Sequence, residues 1–177
     1  MKSRPRRAER EVAAHLSATF HLLGLSPVFR IPVLGRTGPD LTINEFGLVI
    51  DVKSRLEVPV SCIADCLLGF SDFGSAAKDY LIAAPLDRLA ELAHDYYPVL
   101  YHSPRKTVED YYAHMKEWVD HEYPSGIAAI VLHRPKLPFG KAMLVISNHD
   151  RQEFAKRWKT PQSLHSSLPK ALFSIQP

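Results

Sequence analysis

The segment 38–54, GPDLTINEFGLVIDVKS, decides the fold of this chain. It contains two runs rich in β-branched residues, 40–43 and 48–54, joined by Asn44-Glu45-Phe46-Gly47. A short connection that ends in glycine between two such runs is typical of a hairpin turn. The segment therefore predicts two antiparallel strands whose register depends on the length of the turn.

The register determines which polar side chains of the hairpin meet. A turn of two or four residues pairs Ile43 with Leu48 and Asp40 with Asp51. Because side chains alternate between the faces of a sheet, Lys53 then shares the face of Asp51. A three-residue turn would shift the pairing by one position and separate the two aspartates. With an even turn, two carboxylates and one ammonium converge at one end of the hairpin.

Two carboxylates opposite each other destabilise a sheet unless something balances their charge. One of them can be protonated, Lys53 can pair with them, or a divalent cation can bridge them. Magnesium prefers oxygen ligands and is commonly held by one or two carboxylates together with water and substrate phosphate. The residue types at this end of the hairpin match that set of ligands.

Helices and strands alternate along the rest of the chain. The sequence predicts helices at about 5–23, 62–70, 86–94 and 150–158, a long amphipathic helix that begins at 107, and strands at 28–34, 80–84, 99–102, 127–132 and 142–146. Pro32 marks the segment 28–34 as an edge strand. This order of elements predicts an α/β fold, in which a mixed sheet is flanked by helices.

Length and composition are those of one soluble domain. The chain has 177 residues, of which 46% are hydrophobic and 23% charged, as in ordinary globular proteins. No apolar run approaches the ~20 residues that a membrane span needs, and the basic start MKSRPRR leads into no apolar signal segment. Cys62 and Cys66 are interpreted as buried thiols in a reducing compartment. We therefore expect a cytoplasmic protein without a membrane span.

Basic residues gather near both ends of the chain, whose net charge is +3. The N-terminal group is Lys2, Arg4, Arg6, Arg7 and Arg10, and the second group is Arg151, Lys156, Arg157 and Lys159. Such clusters can neutralise phosphates, and they can equally be the solvated face of a helix. Ser54 and Arg55, which follow Lys53 directly, are further candidate phosphate contacts.

Two motifs resemble a known family. Gly38-Pro39-Asp40, followed across the hairpin by Asp51-Val52-Lys53, resembles the PD-(D/E)xK nuclease superfamily. The upstream run Arg7-Ala8-Glu9-Arg10-Glu11 is similar to the first helix of archaeal-type Holliday junction resolvases within that superfamily. The resemblance covers about residues 5–55, and the succession of helices and strands to about residue 84. The resolvases more often have glutamate where this chain has Asp51, and the superfamily permits both.

The resemblance implies a fold and an activity. It implies a single nuclease-like domain over 1–160, with a restriction-endonuclease-like αβββαβ core at about 5–103 and extra strands and helices over 104–160. The segment 161–177 is expected to be a loosely ordered or docking tail. The implied activity is hydrolysis of phosphodiester bonds in DNA, dependent on Mg²⁺ with Mn²⁺ able to substitute. Branched or junction DNA is the expected substrate, and a homodimer is the expected assembly.

The resemblance also implies a role for each motif residue. Asp40 and Asp51 would ligate the metal, and Val52 would offer its backbone carbonyl. Lys53 would orient or activate the attacking water. Glu9 would support the metal directly or through water.

Other classes of function stay open. The chain can be a catalytically silent nuclease-like domain that binds nucleic acid or a protein partner, or a metal-independent hydrolase that shares only the hairpin pattern. His114 and His121 are interpreted as surface or core-edge residues. The tyrosines are interpreted as packing residues before stacking surfaces for unpaired bases: Tyr96, Tyr97, Tyr101, Tyr111 and Tyr112.

Overall fold

The computed structural model of the chain describes residues 4–22, 29–30, 39–44, 46–54, 81–93 and 107–158. The helices are α1 (Arg4–Leu22), a 3₁₀ helix (Leu86–Ala93), α2 (Thr107–Glu122), a short 3₁₀ helix (Phe139–Lys141) and α3 (Asn148–Trp158). The strands are β1 (Phe29–Arg30), β2 (Leu41–Ile43), β3 (Leu48–Ser54), β4 (Leu81–Pro85), β5 (Ile127–His133) and β6 (Met143–Ser147). None of the described helices is long and apolar enough to cross a membrane.

The described elements lie within a few residues of their predicted positions. The segment 86–93, within the helix predicted at 86–94, is a 3₁₀ helix whose backbone departs from helical geometry at Arg88. The predicted helix at 62–70, the predicted strand at 99–102, both cysteines and the tail from 161 lie outside the described residues.

One mixed sheet contains all the described strands. Five of them lie in the order β2-β3-β5-β6-β4, and the two-residue β1 extends the sheet beside β2. The neighbours β3 and β5 run parallel, whereas the other neighbouring pairs are antiparallel. Every residue of β5 is buried, because this strand is central and helices cover both of its faces.

Helices pack on both faces of the sheet. On one face, α1, α3 and the 3₁₀ helix 86–93 enclose a core that includes Leu48 and Ile50 of β3. On the other face, α2 packs against a second core that includes Val49 of β3. Residues 49, 51 and 53 therefore belong to the α2 side of the sheet, as the alternation of side chains requires.

An aromatic cluster holds the hairpin turn in place. The Phe46 side chain is 4% exposed, and its ring stacks on Trp158 with ring centroids 4.8 Å apart. The rings of Phe154 and Phe20 also contact Phe46. The carbonyl of Phe46 accepts a hydrogen bond of 2.9 Å from the Arg157 guanidinium. These contacts fix the turn against α1 and α3, and with it the register of the two strands that it joins.

The polar network of Asp150 connects α2 to the start of α3. Asp150 is 2% exposed, and its Oδ2 accepts a 2.7 Å hydrogen bond from the Tyr112 hydroxyl. Its Oδ1 lies 3.2 Å from the Lys116 ammonium, and its backbone N–H donates to the Ser147 hydroxyl. Burial, followed by the charge of Asp150, raises the pKa of Tyr112, so the hydroxyl stays a donor. A charged group this deeply buried is stable only while its partners remain.

Replacing Tyr112 with phenylalanine is expected to lower the free energy of unfolding by about 1.5–3 kcal/mol, the usual cost of losing a hydrogen bond to a charged group. The measurement is chemical denaturation at neutral pH. Tyr123→Phe is the matched control, because Tyr123 is 39% exposed and its substitution should change stability by less than about 0.5 kcal/mol. Equal stabilities of the two variants would contradict a structural role for the Asp150 network.

Candidate active site

The hairpin has the register that an even turn predicts. Leu41 pairs with Ile50 and Ile43 pairs with Leu48. Asp40 lies immediately before β2, outside the paired residues, and its backbone N–H donates a 2.8 Å hydrogen bond to the carbonyl of Ile50. The predicted pairs of Leu41 with Ile50 and of Ile43 with Leu48 are therefore confirmed, whereas the predicted pairing of Asp40 with Asp51 is not among the pairs of the described strands. The Asp40 side chain still reaches β3 at Val52.

The Asp40 carboxylate is held by the backbone of β3 and adjoins a second carboxylate. Its Oδ2 accepts a 2.7 Å hydrogen bond from the backbone N–H of Val52. Burial is the main cause that raises the pKa of Asp40 from 3.8 to about 7. The hydrogen bond from the Val52 N–H acts in the opposite direction and lowers this pKa. The charge of Asp51, a hydrogen bond with Asp51 and the charge of Glu9 raise it further. Asp40 thus holds a proton, or needs a cation, more readily than an isolated aspartate does.

The raised pKa of Asp40 predicts a pH-dependent stability. A carboxyl with a pKa of 3.8 in the unfolded chain and about 7 in the folded chain binds more protons when folded. Without metal, stability should therefore fall as the pH rises from about 4 to about 7. Because the carboxyl is partly exposed to water, the loss should be about 1–2 kcal/mol, below the full linkage value. Denaturation in chelator at several pH values measures it.

Asp40→Asn is the matched variant for that measurement. The asparagine side-chain oxygen can still accept the Val52 N–H, but the side chain no longer titrates. The stability difference between wild type and variant should grow with pH in favour of the variant. Parallel pH profiles for the two proteins would show that Asp40 titrates as an ordinary exposed aspartate.

Asp51 and Lys53 form a close ion pair on the α2 side of the sheet. The Lys53 Nζ lies 2.6 Å from the Asp51 Oδ2, and the two side chains are 30% and 17% exposed. The same Nζ lies 5.5 Å from the centroid of the Tyr111 ring, within range of a cation–π interaction. Three ways to balance the two carboxylates were considered: protonation, pairing with Lys53 and a bridging cation. In the structure the Lys53 ammonium pairs with Asp51, and the pKa of Asp40 is raised, which favours its protonation.

A cavity of about 460 Å³ adjoins this ion pair on the α2 side. Its walls are Asp51 and Lys53 of β3 and five residues of α2: Asp110, Tyr111, His114, Met115 and Trp118. Sequence reasoning placed none of these α2 residues in the site, and it interpreted His114 as a surface or core-edge residue. The signal that could have found them is the spacing of Asp110, His114 and Trp118 by four residues, which puts them on one face of a helix.

Glu9 approaches the site from α1, on the opposite side of the sheet. It is half-buried, and its charge is one of the causes that raise the pKa of Asp40. Its neighbours Ala8 and Val12 are buried in the core that α1 makes with β3. Glu9 thus adds negative charge near Asp40, as its position on the inner side of the helix predicted.

The candidate phosphate-contacting residues differ in their exposure to solvent and in their partners within the protein. Arg7 and Arg10 are exposed on α1, and the Arg7 guanidinium lies 4.0 Å from the Glu11 carboxylate. The side chains of Arg4 and Arg6, and all of Arg55, lie outside the described residues. The Ser54 hydroxyl is 3.4 Å from the His133 ring on β5. Ser54 therefore has a partner within the protein, and only Arg7 and Arg10 are described with side chains exposed to solvent.

Three of the basic residues near the C-terminus have partners within the fold. The Arg157 guanidinium donates a hydrogen bond to the carbonyl of Phe46, and the Lys156 ammonium forms an ion pair with Glu153 on the same helix. The Arg151 guanidinium reaches the carbonyl of Leu92, 3.4 Å away. These partners support the interpretation of this cluster as a helix face over that of a phosphate-binding surface.

The donor set at the end of the hairpin suits a hard divalent cation that keeps several waters. It consists of the carboxylates of Asp40 and Asp51 and the backbone of Val52, whose N–H already bonds Asp40. Within the described parts of the chain, no group of three or more His, Cys, Asp or Glu side chains is arranged to hold a metal ion. The residues therefore fit a cation bound by one or two carboxylates and completed by water and substrate, as is common for magnesium.

The chain shows no significant match to a protein-family model, a curated protein or a solved structure.

Proposed function

We propose that this chain is a divalent-metal-dependent DNA endonuclease of the PD-(D/E)xK type, similar to the archaeal-type Holliday junction resolvases. The observation that carries the proposal is the Asp40 carboxyl, held by the Val52 N–H on β3, on the strand that carries the ion pair of Asp51 and Lys53, whose Nζ is 2.6 Å from Asp51. Two adjoining carboxylates at the end of a hairpin oppose a stable fold, which favours a functional reason for their presence beside Lys53.

The restriction-endonuclease-like αβββαβ core belongs to the same proposal. It is supported by α1 preceding the hairpin, by the β2–β3 pairing and by a parallel strand beside β3. That parallel strand is β5, from the segment 104–160, whereas β4 lies at the far edge of the sheet. The proposed core therefore includes part of the C-terminal segment that the sequence analysis treated as an elaboration.

Each residue of the proposed site has a defined task. Asp40, Asp51 and the Val52 carbonyl would hold Mg²⁺ or Mn²⁺, and Glu9 would act on it through water. When bound, such a cation lowers the pKa of a coordinated water and neutralises charge on the phosphate. Lys53 would orient the attacking water and offset the negative charge that develops on the phosphate. Arg7 and Arg10, exposed on α1, would contact flanking phosphates, and cuts in two strands would suit a homodimer.

The experiment that tests the proposal compares wild type with Asp51→Asn on supercoiled plasmid and on branched DNA, each in Mg²⁺. Wild type should nick or cut, and Asp51→Asn should lose at least about 10²-fold in rate while still binding DNA. Asp120→Asn is the matched control, since its carboxylate is 57% exposed and pairs with Lys116 away from the cavity. It should cut at the wild-type rate.

Two results would replace the proposal with another class. Salt-sensitive DNA binding by wild type that never leads to cleavage would indicate a catalytically silent binding domain. Hydrolysis that survives both chelation and Lys53→Ala would indicate a metal-independent hydrolase.

A further inference from the structure

The α2 cavity and the proposed metal site share walls. Asp51 and Lys53 line the cavity, and Asp51 also contacts Asp40. A nucleotide whose phosphate lies against Lys53 therefore has its neighbouring sugar or base within reach of the cavity. A substrate group that enters the cavity would therefore lie next to the cut bond.

The walls contributed by α2 are suited to a flat apolar group. Trp118 is half-buried and Met115 is buried, and neither offers a charge to a phosphate. The Lys53 ammonium already lies over the Tyr111 ring, which leaves Trp118 as the stacking surface. Trp118 is itself supported by Tyr123, with ring centroids 5.3 Å apart. Aromatic side chains in such positions bind bases by stacking, and they tolerate any base because every base has a π-face.

The size and the polar groups of the cavity fit the same occupant. A volume of about 460 Å³ lies in the range of small-molecule sites in proteins, about 300–1,000 Å³. Asp110 and His114 are exposed cavity residues on the same helix face. A carboxylate accepts hydrogen bonds and an imidazole can donate or accept them, so both can bond the polar edge of a base.

We infer that this cavity binds one unstacked nucleobase beside the scissile phosphate, so that the substrate is DNA with an unpaired or single-stranded nucleotide at the cut. The inference rests on the proposed nuclease function and narrows its substrate class. A base inside a duplex cannot enter, because its faces are stacked and its edge is paired. Unpaired nucleotides enter at the lowest cost of unstacking.

The test uses 2-aminopurine, a base whose fluorescence falls when it stacks on an aromatic ring. Two DNA duplexes are titrated with protein in Ca²⁺, one with an unpaired 2-aminopurine and one with the same base paired. The variants are Trp118→Leu and Trp118→Phe, and the control is His121→Ala, an exposed residue of α2 outside the cavity. Thermal denaturation of each variant shows whether it is folded.

Wild type and His121→Ala should quench the unpaired base and bind its duplex more tightly than the paired one. In Trp118→Leu, the ratio of affinities for the unpaired and the paired duplex should fall by about 5- to 150-fold, the effect of one base–aromatic stack. Trp118→Phe should keep part of the preference. An equal effect on both duplexes, or an undiminished preference in folded Trp118→Leu, would overturn the inference.

These measurements distinguish a wrong inference about base binding in the cavity from a wrong proposal of nuclease activity. If folded Trp118→Leu retains the full preference for the unpaired base while wild type cleaves in Mg²⁺, the pocket is wrong and the nuclease remains. If wild type never cleaves but Trp118→Leu loses the preference, the pocket stands as a nucleic-acid-binding site and the proposed catalysis is wrong.

Discussion

Replacing Lys53 with methionine should lower the rate of metal-dependent DNA cleavage by about 10²- to 10³-fold, the usual cost of removing one group that stabilises charge in the transition state. Methionine is unbranched and apolar, so it can fill the space below Tyr111 without the charge. The variant loses the cation that contacts Asp51 at 2.6 Å and that the proposal places beside the attacking water. Single-turnover cleavage of branched DNA in saturating Mg²⁺ measures the loss.

The control for Lys53 is Lys141→Met, which removes an exposed lysine on the 3₁₀ helix 139–141. It should cut at the wild-type rate. Lys53→Arg should restore little activity, because the planar guanidinium is larger and does not give up its proton. A loss below 10-fold in folded Lys53→Met would exclude Lys53 from the chemical step.

Replacing Phe46 with alanine should lower the free energy of unfolding by about 3–5 kcal/mol, as is usual when a buried phenylalanine is truncated. The ring is 4% exposed and lies between Trp158, Phe154 and Phe20, so alanine leaves a cavity that these rings cannot fill completely. Chemical denaturation with a fluorescence readout measures the change.

Tyr123→Ala is the control for Phe46, because it removes a large aromatic ring that is 39% exposed. It should cost less than about 1 kcal/mol. Phe46→Ala should also weaken cleavage more than its stability alone explains, since Phe46 anchors the turn that sets the register of Asp40 against β3. Wild-type stability of Phe46→Ala would contradict the role of the aromatic cluster as the anchor of the hairpin.

The local part of the site could be predicted from the sequence. The pairing of Leu41 with Ile50 and of Ile43 with Leu48 depends on a turn within one short segment, so the sequence specifies it directly. The alternation of side chains then assigns residues 51 and 53 to one face of the sheet, without knowledge of the rest of the chain. The position of Glu9 on the inner side of α1 follows from helical spacing in the same way.

The non-local part could not be predicted. The sequence does not indicate that β5, from residues 127–133, lies parallel to β3, because pairing between distant segments depends on which apolar faces the whole fold buries. For the same reason, the wall that α2 builds beside Lys53 was missed. Tyr111 and Tyr112 are adjacent and look alike in the sequence. In the structure, the Tyr111 side chain lines the cavity, whereas the Tyr112 hydroxyl donates a hydrogen bond to buried Asp150.

The charge balance of the two aspartates also needed the structure. Sequence reasoning left protonation, pairing with Lys53 and a bridging cation as alternatives. Lys53 pairs with Asp51, and burial, together with the charge of Asp51, raises the pKa of Asp40 to about 7. A cation that binds at this point relieves the repulsion at Asp40, and this is the physical link between the fold and the proposed activity.

The location of a divalent ion is the most direct measurement of that link. Anomalous diffraction from crystals soaked in Mn²⁺ should give a peak in contact with the carboxylates of Asp40 and Asp51 and near the Val52 carbonyl, and the peak should vanish in Asp51→Asn. A peak elsewhere, or none beside Asp40 at saturating Mn²⁺, would contradict the account.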